Sequence, residues 1–309
     1  MLTFDNINEA QLFLIKSILS DGHEVKTRGY LTKEIFPVMF AIENPYKRIT
    51  TLKARKWNFA AALGELSWHF AKSNDVDFIA SYLSNWRKFS EDNEHITGSC
   101  YGFKIFKKDD KGISKWNNVI NILNSDPGSR RAVINLIDDS EQINTDKPDI
   151  SCTISFQFLI RNNKLDIIVN MRSNDIIWGL PYDFFLFSYF QELMAVELGI
   201  PLGRYFHIAG SMHIYERHFK LGQEIITTKE EYLDLEMPQI LNNQVEIFTA
   251  LERKIRMENI ALEEIKEIEI DQYWKTLLEV LYYHKSLKKN EKILDIKYIE
   301  KNNYFSKIL

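Results

Sequence analysis

A pair of predicted strands joined by a short polar turn is the feature that most restricts how this chain can fold. From Cys152 to Ile160 apolar residues alternate with other residues, the period of two expected of a strand with one face in the core. The next four residues, 161–164, have the composition of a turn, and Leu165 to Arg172 is predicted to return as a second strand. Such a hairpin brings Arg172 towards Cys152 and places Cys152 in line with the apolar face.

A helix is predicted directly after the hairpin. Beyond Gly179-Leu-Pro181, large apolar residues recur at helical spacing as far as Leu198, and Asp183 falls in the first turn of this helix. Each polar residue alone has an ordinary explanation: a lone cysteine is usually buried, a strand-end arginine is usually solvated, and such an aspartate usually caps its helix. Together they place a thiol nucleophile, an electrostatic activator and a carboxylate in one short stretch.

The composition predicts one large soluble domain. The chain has 309 residues, of which 45% are hydrophobic and 13% aromatic, so one α+β domain with appendages fits better than a string of modules. Its net charge of -4 gives no general attraction for nucleic acid, so no nucleic-acid partner is expected. With only 2 cysteines, no signal-peptide pattern and no long apolar span, we expect a reduced, cytoplasmic protein that does not enter a membrane.

Several short segments between residues 126 and 218 occur in an order and spacing typical of one enzyme superfamily. They are Asp126-Pro-Gly-Ser-Arg-Arg131, Ser151-Cys152, Phe156-Gln-Phe158, Arg172-Ser-Asn-Asp175, Gly179-Leu-Pro181 and His213-Ile-Tyr215. Through them the chain resembles the thymidylate synthase and pyrimidine-nucleotide hydroxymethylase superfamily. The resemblance implies an α+β fold with a large mixed β-sheet flanked by helices, and a homodimer formed through the sheet. We expect a catalytic domain of residues 1–232 and a helical C-terminal extension, residues 233–309, packed on it.

The resemblance implies a covalent mechanism at a pyrimidine ring. Cys152 would add to C6 of the ring, and because only the thiolate adds, Arg172 is expected to lower the Cys152 pKa below its free value of roughly 8.5. Glu65 corresponds to the family's glutamate, which organises water and protons near the pyrimidine; a surface glutamate is the alternative. Tyr101 would lie near the C5 proton.

A set of nucleotide-binding residues is also implied by the resemblance. They are Arg28, Arg130, Arg131, Arg172, Ser173, Asp183, His213 and Tyr215. Arg28 lies in a predicted loop, residues 21–29, that would close on the phosphate, and Arg130 and Arg131 would reach into the partner's site across the dimer. The stretch from residue 205 to residue 215 is predicted as one strand, whose last histidine and tyrosine share a face and would hydrogen-bond a sugar hydroxyl. A solvated arginine and a core histidine are the ordinary alternatives.

The implied one-carbon donor is 5,10-methylenetetrahydrofolate, and no metal ion is expected. The residues predicted to bind the folate are Trp86, Asp175, Trp178 and Gly179. Asp175 would hydrogen-bond the pterin. Trp86 lies in a predicted helix, residues 75–89, whose aromatic side chains have packing in the core as their alternative role.

Asp183 favours a cytosine nucleotide over a uracil nucleotide. Thymidylate synthases usually carry asparagine at this position, whose amide both donates and accepts, whereas an ionised aspartate only accepts. An acceptor that faces uracil O4 is mispaired, but one that faces the 4-amino group of cytosine is satisfied. We therefore expect one-carbon transfer to C5 of dCMP or CMP, with the 5-hydroxymethyl nucleotide as product.

Three alternatives stay open at this point. The first is a thymidylate synthase that acts on dUMP, and the second is a nucleotide- or RNA-binding homologue without turnover. The third, a Cys/His hydrolase, is disfavoured because no histidine is placed by motif to act as base for Cys152. The sequence does not distinguish ribose from deoxyribose, a methyl from a hydroxymethyl product, or the pathway served.

Overall fold

The computed structural model describes residues 1–137, 147–228, 232–258 and 260–288. Their strands form two mixed sheets. In strand order, the six-stranded sheet contains β1 (Leu2–Phe4), β4 (Val38–Ile42), β9 (Leu202–Ala209), β7 (Lys164–Met171), β6 (Thr153–Arg161) and β5 (Val133–Asn135). The four-stranded sheet contains, again in order, β2 (His23–Thr27), β3 (Tyr30–Ile35), β10 (Met212–Tyr215) and β8 (Asn174–Asp175).

Ten α-helices pack around these sheets in the described ranges. They are α1 (Ile7–Asp21), α2 (Phe59–Phe70), α3 (Val76–Tyr82), α4 (Tyr101–Phe106), α5 (Lys115–Ser125), α6 (Gly179–Leu198), α7 (Phe219–Thr227), α8 (Val245–Met257), α9 (Leu262–Glu267) and α10 (Gln272–Lys288). The predicted α+β fold, with a large mixed sheet flanked by helices, is confirmed. Within the described ranges, none of the helices is long and apolar enough to cross a membrane.

The chain passes between the two sheets at a common seam. It leaves one sheet for the other between β3 and β4, between β7 and β8 at Arg172 and Ser173, and between β9 and β10 at Gly210 and Ser211. The last crossing corrects the sequence prediction, because residues 205–215 form parts of two strands in different sheets rather than one strand. A side chain at Gly210 would not fit, since a Cβ there would lie 2.8 Å from the Arg172 carbonyl oxygen.

The predicted hairpin is confirmed as the antiparallel pair β6 and β7. Asn162 and Asn163 both have positive φ, 51° and 58°, as a two-residue turn of the favoured hairpin type requires. The predicted alternation fails at the start of β6, because the pairing register shifts between Thr153 and Ser155. Thr153 is consequently fully buried, whereas Cys152 remains partly exposed at the edge of the core.

α6 runs through the centre of the molecule and is buried on almost every side. It begins at Gly179, so Asp183 lies in its second turn and not in the first turn as predicted. Pro181 is tolerated so early in the helix because the first N–H groups have no intrahelical acceptor. The helix packs on β7, β8 and β9, and Asp183 in its second turn contacts Asn174 of β8.

Two other local predictions are corrected. The predicted loop of residues 21–29 contains β2, which pairs with β3 through a tight turn at Arg28 and Gly29, where both φ angles are positive. The predicted helix of residues 75–89 is divided at Leu83 into α3 and a short 3-10 helix, Ser84–Phe89. The polar sequence of residues 138–147 also predicts a surface loop, but these residues lie almost entirely outside the described ranges.

The C-terminal helices pack against the rest of the molecule. α10 contacts α2 as well as α8, and the Tyr273 hydroxyl donates to the Tyr189 hydroxyl of α6 at 2.7 Å. From α3, the Tyr82 hydroxyl donates to Glu252 Oε1 of α8 at 2.7 Å. The predicted boundary near residue 232 stays a prediction, and residue 259 and residues 289–309 of the expected extension lie outside the described ranges.

A buried ion pair fastens α6 to two distant segments. Arg48, in the loop after β4, donates from Nη2 to Glu192 Oε2 at 2.7 Å, and both side chains are inaccessible to solvent. The other carboxylate oxygen, Oε1, accepts from the Ile240 backbone N–H at 2.6 Å. Removing one partner of such a pair leaves the other charge uncompensated. This pair therefore joins three separate segments of the chain.

Candidate active site

The hairpin brings the Cys152 thiol and the Arg172 guanidinium together, as predicted. Cys152 immediately precedes β6 and Arg172 immediately follows β7, and Arg172 Nη2 lies 3.7 Å from Cys152 Sγ. The guanidinium is held in place by two carbonyl groups: Nε donates to Ser151 O at 2.9 Å and Nη2 to Ile150 O at 3.1 Å. The Ser173 hydroxyl lies 4.0 Å from the same sulfur. Two donors therefore face any negative charge that develops on the thiol.

The pKa of Cys152 departs from the sequence prediction. Burial raises the pKa of the thiol, and this effect outweighs the Arg172 charge, which lowers it. The charge of Asp183 raises it further. Without a ligand the sulfur is therefore held mainly as a thiol, and neutralising the Asp183 charge would remove one of the effects that disfavour the thiolate.

Asp183 projects from α6 into the same site and is paired with Asn174 of β8. Asn174 Nδ2 donates to Asp183 Oδ2 at 2.7 Å. Burial raises the pKa of Asp183 to about 7, although the bond from Asn174 opposes the shift. Gly179 leaves room for this pair, because a Cβ there would lie 2.8 Å from Asn174 Nδ2 and 3.3 Å from Asp183 Oδ2.

Glu65 and Tyr101 lie in the same group of residues, as predicted. Burial, followed by the charge of Asp183, raises the pKa of Glu65 on α2 to about 8. Tyr101, at the start of α4, is buried, and the charges of Cys152 and Asp183 act with burial to raise the pKa of its hydroxyl. Asp183 therefore adjoins a second carboxyl group that titrates near neutral pH and a neutral phenol, and these groups can hold or move protons.

His213 and Tyr215 share one face of β10, as predicted. Their ring centroids lie 5.2 Å apart. His213 is paired in register with Glu34 on one side and with Asp175 on the other, so an imidazole lies between two carboxylates across the four-stranded sheet. Burial lowers the pKa of His213, and the two carboxylates oppose that effect. A neutral imidazole of this kind can donate one hydrogen bond and accept another.

The predicted phosphate-binding arginines lie in two different places. Arg28 is exposed at the tip of the turn between β2 and β3. Burial raises the pKa of the Tyr215 hydroxyl, and the charge of Arg28 is the weaker of two arginine charges that oppose this shift. Arg130 and Arg131 are exposed just before β5, which is an edge strand of the six-stranded sheet. The hydrogen bonds and ring contacts of the described residues do not connect those two side chains with Cys152. Their role across a dimer stays a prediction.

The predicted folate-binding residues also divide into two groups. Asp175 Oδ1 accepts from the backbone N–H groups of Ile177 at 2.8 Å and Trp178 at 3.2 Å, which fixes the approach to Gly179 and α6. Trp86 is half-buried and packs on Trp68, with ring centroids 5.5 Å apart. The first group adjoins Asp183, whereas the contacts of Trp86 are those of a residue at the edge of the core.

Two residues of the site were missed in the sequence. Asn174, which holds Asp183, lies within the Arg172 to Asp175 motif but was given no role. Asp149 accepts from the N–H groups of Gly98 and Ser99, both at 2.8 Å, and from the Ser99 hydroxyl at 2.6 Å, so it ties the segment before Tyr101 to the segment before Cys152. Its position at the start of the nucleophile stretch was the available signal.

One group of possible metal ligands occurs away from this site in the described ranges. Asp92, Glu94 and His95 are exposed, and their ligand atoms lie within 4.8 Å of one another. His95 Nδ1 lies 2.8 Å from Asp92 Oδ2, so these side chains already pair with each other. Exposed acidic groups of this kind commonly occur without a metal ion.

Comparison with known proteins gives a consistent result. The sequence model of the thymidylate synthase family matches residues 10–274. The deoxyuridylate hydroxymethyltransferase of Bacillus phage SP01 is 32% identical over 227 residues, which are 70% of this chain and 59% of that protein, so the chain spans less than two thirds of that relative. The deoxycytidylate 5-hydroxymethyltransferase of Enterobacteria phage T6 is 27% identical over 238 residues, 74% of this chain and 93% of that protein.

A thymidylate synthase of Buchnera aphidicola is 25% identical over 245 residues, 76% of this chain and 88% of that protein. Enzymes of all three kinds are thus similar to this chain along most of its length. The chain belongs to the thymidylate synthase family, whose members transfer a one-carbon unit from methylenetetrahydrofolate to a pyrimidine nucleotide.

Proposed function

We propose that this protein transfers a one-carbon unit from 5,10-methylenetetrahydrofolate to C5 of a cytosine nucleotide, dCMP or CMP, and releases the 5-hydroxymethyl product. The observation that carries the proposal is the pairing of Asp183 with Asn174 close to Cys152. A similar relative that is named a deoxycytidylate 5-hydroxymethyltransferase supports it.

Base selection would follow from the way Asp183 is held. Because Asn174 donates to Oδ2, that oxygen acts as an acceptor, and Oδ1 remains to face the base. The 4-amino group of cytosine can donate to the carboxyl group, and one proton can be shared between the carboxyl group and N3. Uracil presents O4, an acceptor, where cytosine presents a donor, so an ionised carboxylate would be mispaired there.

Recognition of the base would also activate the nucleophile. The Asp183 charge raises the pKa of Cys152, so a proton shared between Asp183 and N3 removes part of that effect. The same proton draws electrons from the ring and makes C6 more reactive. Arg172 and Ser173 then stabilise the thiolate that adds to C6.

The remaining steps would be proton and water transfers around C5. Addition of the thiolate to C6 makes C5 nucleophilic, and C5 attacks the methylene carbon of the folate. Loss of the C5 proton and departure of the folate leave an exocyclic methylene, to which water adds as the Cys152 sulfur leaves C6. Glu65 and Tyr101 are the residues we assign to these proton transfers. Hydride transfer from the folate in place of water would give a methyl group.

The second candidate substrate is dUMP. It is favoured by the similarity to a protein named deoxyuridylate hydroxymethyltransferase. Incubation of the enzyme and labelled methylenetetrahydrofolate with dCMP, CMP or dUMP, followed by mass analysis of the nucleotides, separates these possibilities. A mass gain of about 30 Da on dCMP or CMP, which corresponds to added CH2O, supports the proposal. Turnover of dUMP alone would refute it.

A homologue without turnover is tested by the nucleophile itself. Cys152→Ser should abolish folate-dependent release of tritium from C5 while nucleotide affinity persists. If the wild-type protein releases no tritium from any of the three nucleotides, the protein binds nucleotide or RNA without catalysis.

We also propose that two copies assemble through the open face of the six-stranded sheet, where Met39 and Val133 are exposed. In such a dimer Arg130 and Arg131 would reach the phosphate in the partner's site. Mixing Cys152→Ser protein with Arg131→Ala protein should then restore activity, because a mixed dimer contains one complete site. Absence of restoration after subunit exchange would contradict the arrangement.

A further inference from the structure

Trp178 is an exposed tryptophan whose indole ring contacts Arg55 on one face and His218 at one edge. Its side chain is 46% exposed, directly before α6. The guanidinium carbon of Arg55 lies 4.2 Å from its ring centroid and covers one face. The indole Nε1 donates to His218 Nε2 at 3.0 Å. The face opposite Arg55 therefore accounts for the exposed area.

Arg55 is unusual because it is a buried cation with few partners. Its side chain is 2% exposed, and Nε donates to the Ile177 carbonyl at 2.6 Å. In the described part of the chain neither terminal nitrogen, Nη1 or Nη2, has a hydrogen-bond partner. Burial lowers the pKa of Arg55, and the nearby Tyr182 and Asp175 oppose that shift. The indole face of Trp178, 4.2 Å from the guanidinium carbon, is therefore one of the groups that offset the buried charge, together with Tyr182.

His218 holds the indole only as a neutral imidazole. Nε2 accepts from Trp178 Nε1 at 3.0 Å and from Arg217 Nε at 3.1 Å, so that nitrogen carries no proton and the proton lies on Nδ1. Protonation of Nε2 would place an N–H against two donors. Burial lowers the pKa of His218, Arg217 and Arg55 lower it further, and Asp175 opposes them.

We propose that Arg55 and His218 are positioning residues that hold Trp178 as a stacking surface for the planar, electron-rich part of the folate. We call Trp178, Arg55 and His218 the tryptophan platform; the proposal rests on the proposed function. A cation on the inner face draws electron density from the indole, so the outer face favours an electron-rich ring such as an aminobenzoyl amide or a reduced pterin. Asp175 fixes the Trp178 backbone beside the predicted pterin site.

The test measures tetrahydrofolate binding by calorimetry to the full chain carrying Cys152→Ser, saturated with dCMP or, in parallel, with dUMP. Arg55→Met should weaken folate binding about tenfold, the scale of a desolvated cation–π contact, and change nucleotide affinity less than about twofold. Arg55→Lys should have an intermediate effect. In a Trp178→Leu background, Arg55→Met should have no further effect, because the group through which Arg55 acts is gone.

His218→Gln tests whether the protonation of His218 affects folate affinity, which a purely structural role of this residue would not predict. The glutamine carbonyl oxygen can replace Nε2 as acceptor and does not titrate. Folate affinity of the protein with His218 should fall when the pH is lowered from 7.5 to 5.5, and His218→Gln should remove part of that fall without altering affinity at pH 7.5.

Equal weakening of nucleotide and folate binding by Arg55→Met would overturn the platform, as would an undiminished effect of Arg55→Met in the Trp178→Leu background. Either result would leave the proposed reaction standing, provided that the protein with Arg55 binds tetrahydrofolate. Absence of tetrahydrofolate binding with either nucleotide would instead refute the proposed reaction and the platform together.

Discussion

Asn174 Nδ2 donates a hydrogen bond of 2.7 Å to Asp183 Oδ2, and this bond fixes which oxygen of a buried carboxyl group remains for a ligand. Asn174 belongs to the two-residue strand β8 and Asp183 to the second turn of α6, so the pair joins a sheet to a helix. Gly179 is required between them because any larger residue would contact both side chains. The carboxyl group that we propose selects the substrate base is thereby tied to the packing of the scaffold.

Asp183→Asn should reverse the base preference. An amide at this position can donate to uracil O4, whereas it loses the shared proton that cytosine requires. We expect the ratio of kcat/KM for dCMP to that for dUMP to fall by about 100-fold or more, the scale of a mispaired buried polar group. Steady-state kinetics with both nucleotides measure it. Asn174→Ala, which keeps the carboxyl group but releases it, should slow dCMP turnover without reversing the preference; an unchanged ratio in Asp183→Asn would contradict this account.

Binding of a cytosine nucleotide should weaken as the pH rises through about 7, the pKa to which burial raises Asp183. The complex needs one proton between the carboxyl group and N3, and that proton is present below this pKa and lost above it. The loss should approach about tenfold in affinity per pH unit above the pKa. Calorimetric titration of Cys152→Ser with dCMP between pH 6 and pH 9 isolates the effect. Asp183→Asn is the control, because it should abolish this dependence.

Arg172→Met should raise the pKa of Cys152 further, since the guanidinium is the main group that lowers it against burial. The alkylation rate of Cys152 with iodoacetamide at pH 8 should therefore fall, by about tenfold for each unit of additional pKa shift. Peptide mass analysis separates Cys152 from the buried Cys100. Arg204→Met removes an exposed arginine near Glu43 and should leave the rate unchanged. Equal rates in the two variants would show that Arg172 does not act on the sulfur.

Glu192→Gln should destabilise the fold strongly, because it leaves the buried Arg48 without its counter-charge. We expect a loss of about 3–5 kcal/mol in the free energy of unfolding, measured in urea. Asp77→Asn provides the matched control, since Asp77 pairs with Arg87 at the surface, where such pairs contribute about 0–1 kcal/mol. Similar losses in both variants would mean that burial of the Arg48 pair has no special importance.

The sequence allowed the centre of the site to be predicted because its signals are local. A two-residue period, an Asn-Asn turn and the Arg172 to Asp175 motif together predict the hairpin that brings sulfur and guanidinium together. The helix after Gly179 is likewise predicted from its long run of large apolar residues, which bury it on almost every side. The family resemblance then connected residues as distant as Glu65 and Tyr215.

Other features depend on contacts that no local pattern reveals. Residues 205–215 were predicted as one strand, but the buried positions change phase at Gly210 and Ser211, where the chain passes to the sheet of β3 and β8. The register shift between Thr153 and Ser155 likewise depends on how β6 pairs with β7, which the sequence does not reveal. The raised pKa of Cys152 could not be predicted from Arg172 alone, because burial and Asp183 act against it. Arg55 and His218 have ordinary sequence surroundings, and only their packing on Trp178 singles them out.

The two crossings at Arg172–Ser173 and Gly210–Ser211 put the sulfur on one sheet and His213, the residue predicted to bind the sugar, on the other. Each of these two links between the sheets is only two residues long, so the distance between Cys152 and His213 is nearly fixed by covalent geometry. In the proposed complex a nucleotide must match that length to contact both Cys152 and His213, and we expect a free base, which would reach Cys152 alone, to bind more weakly.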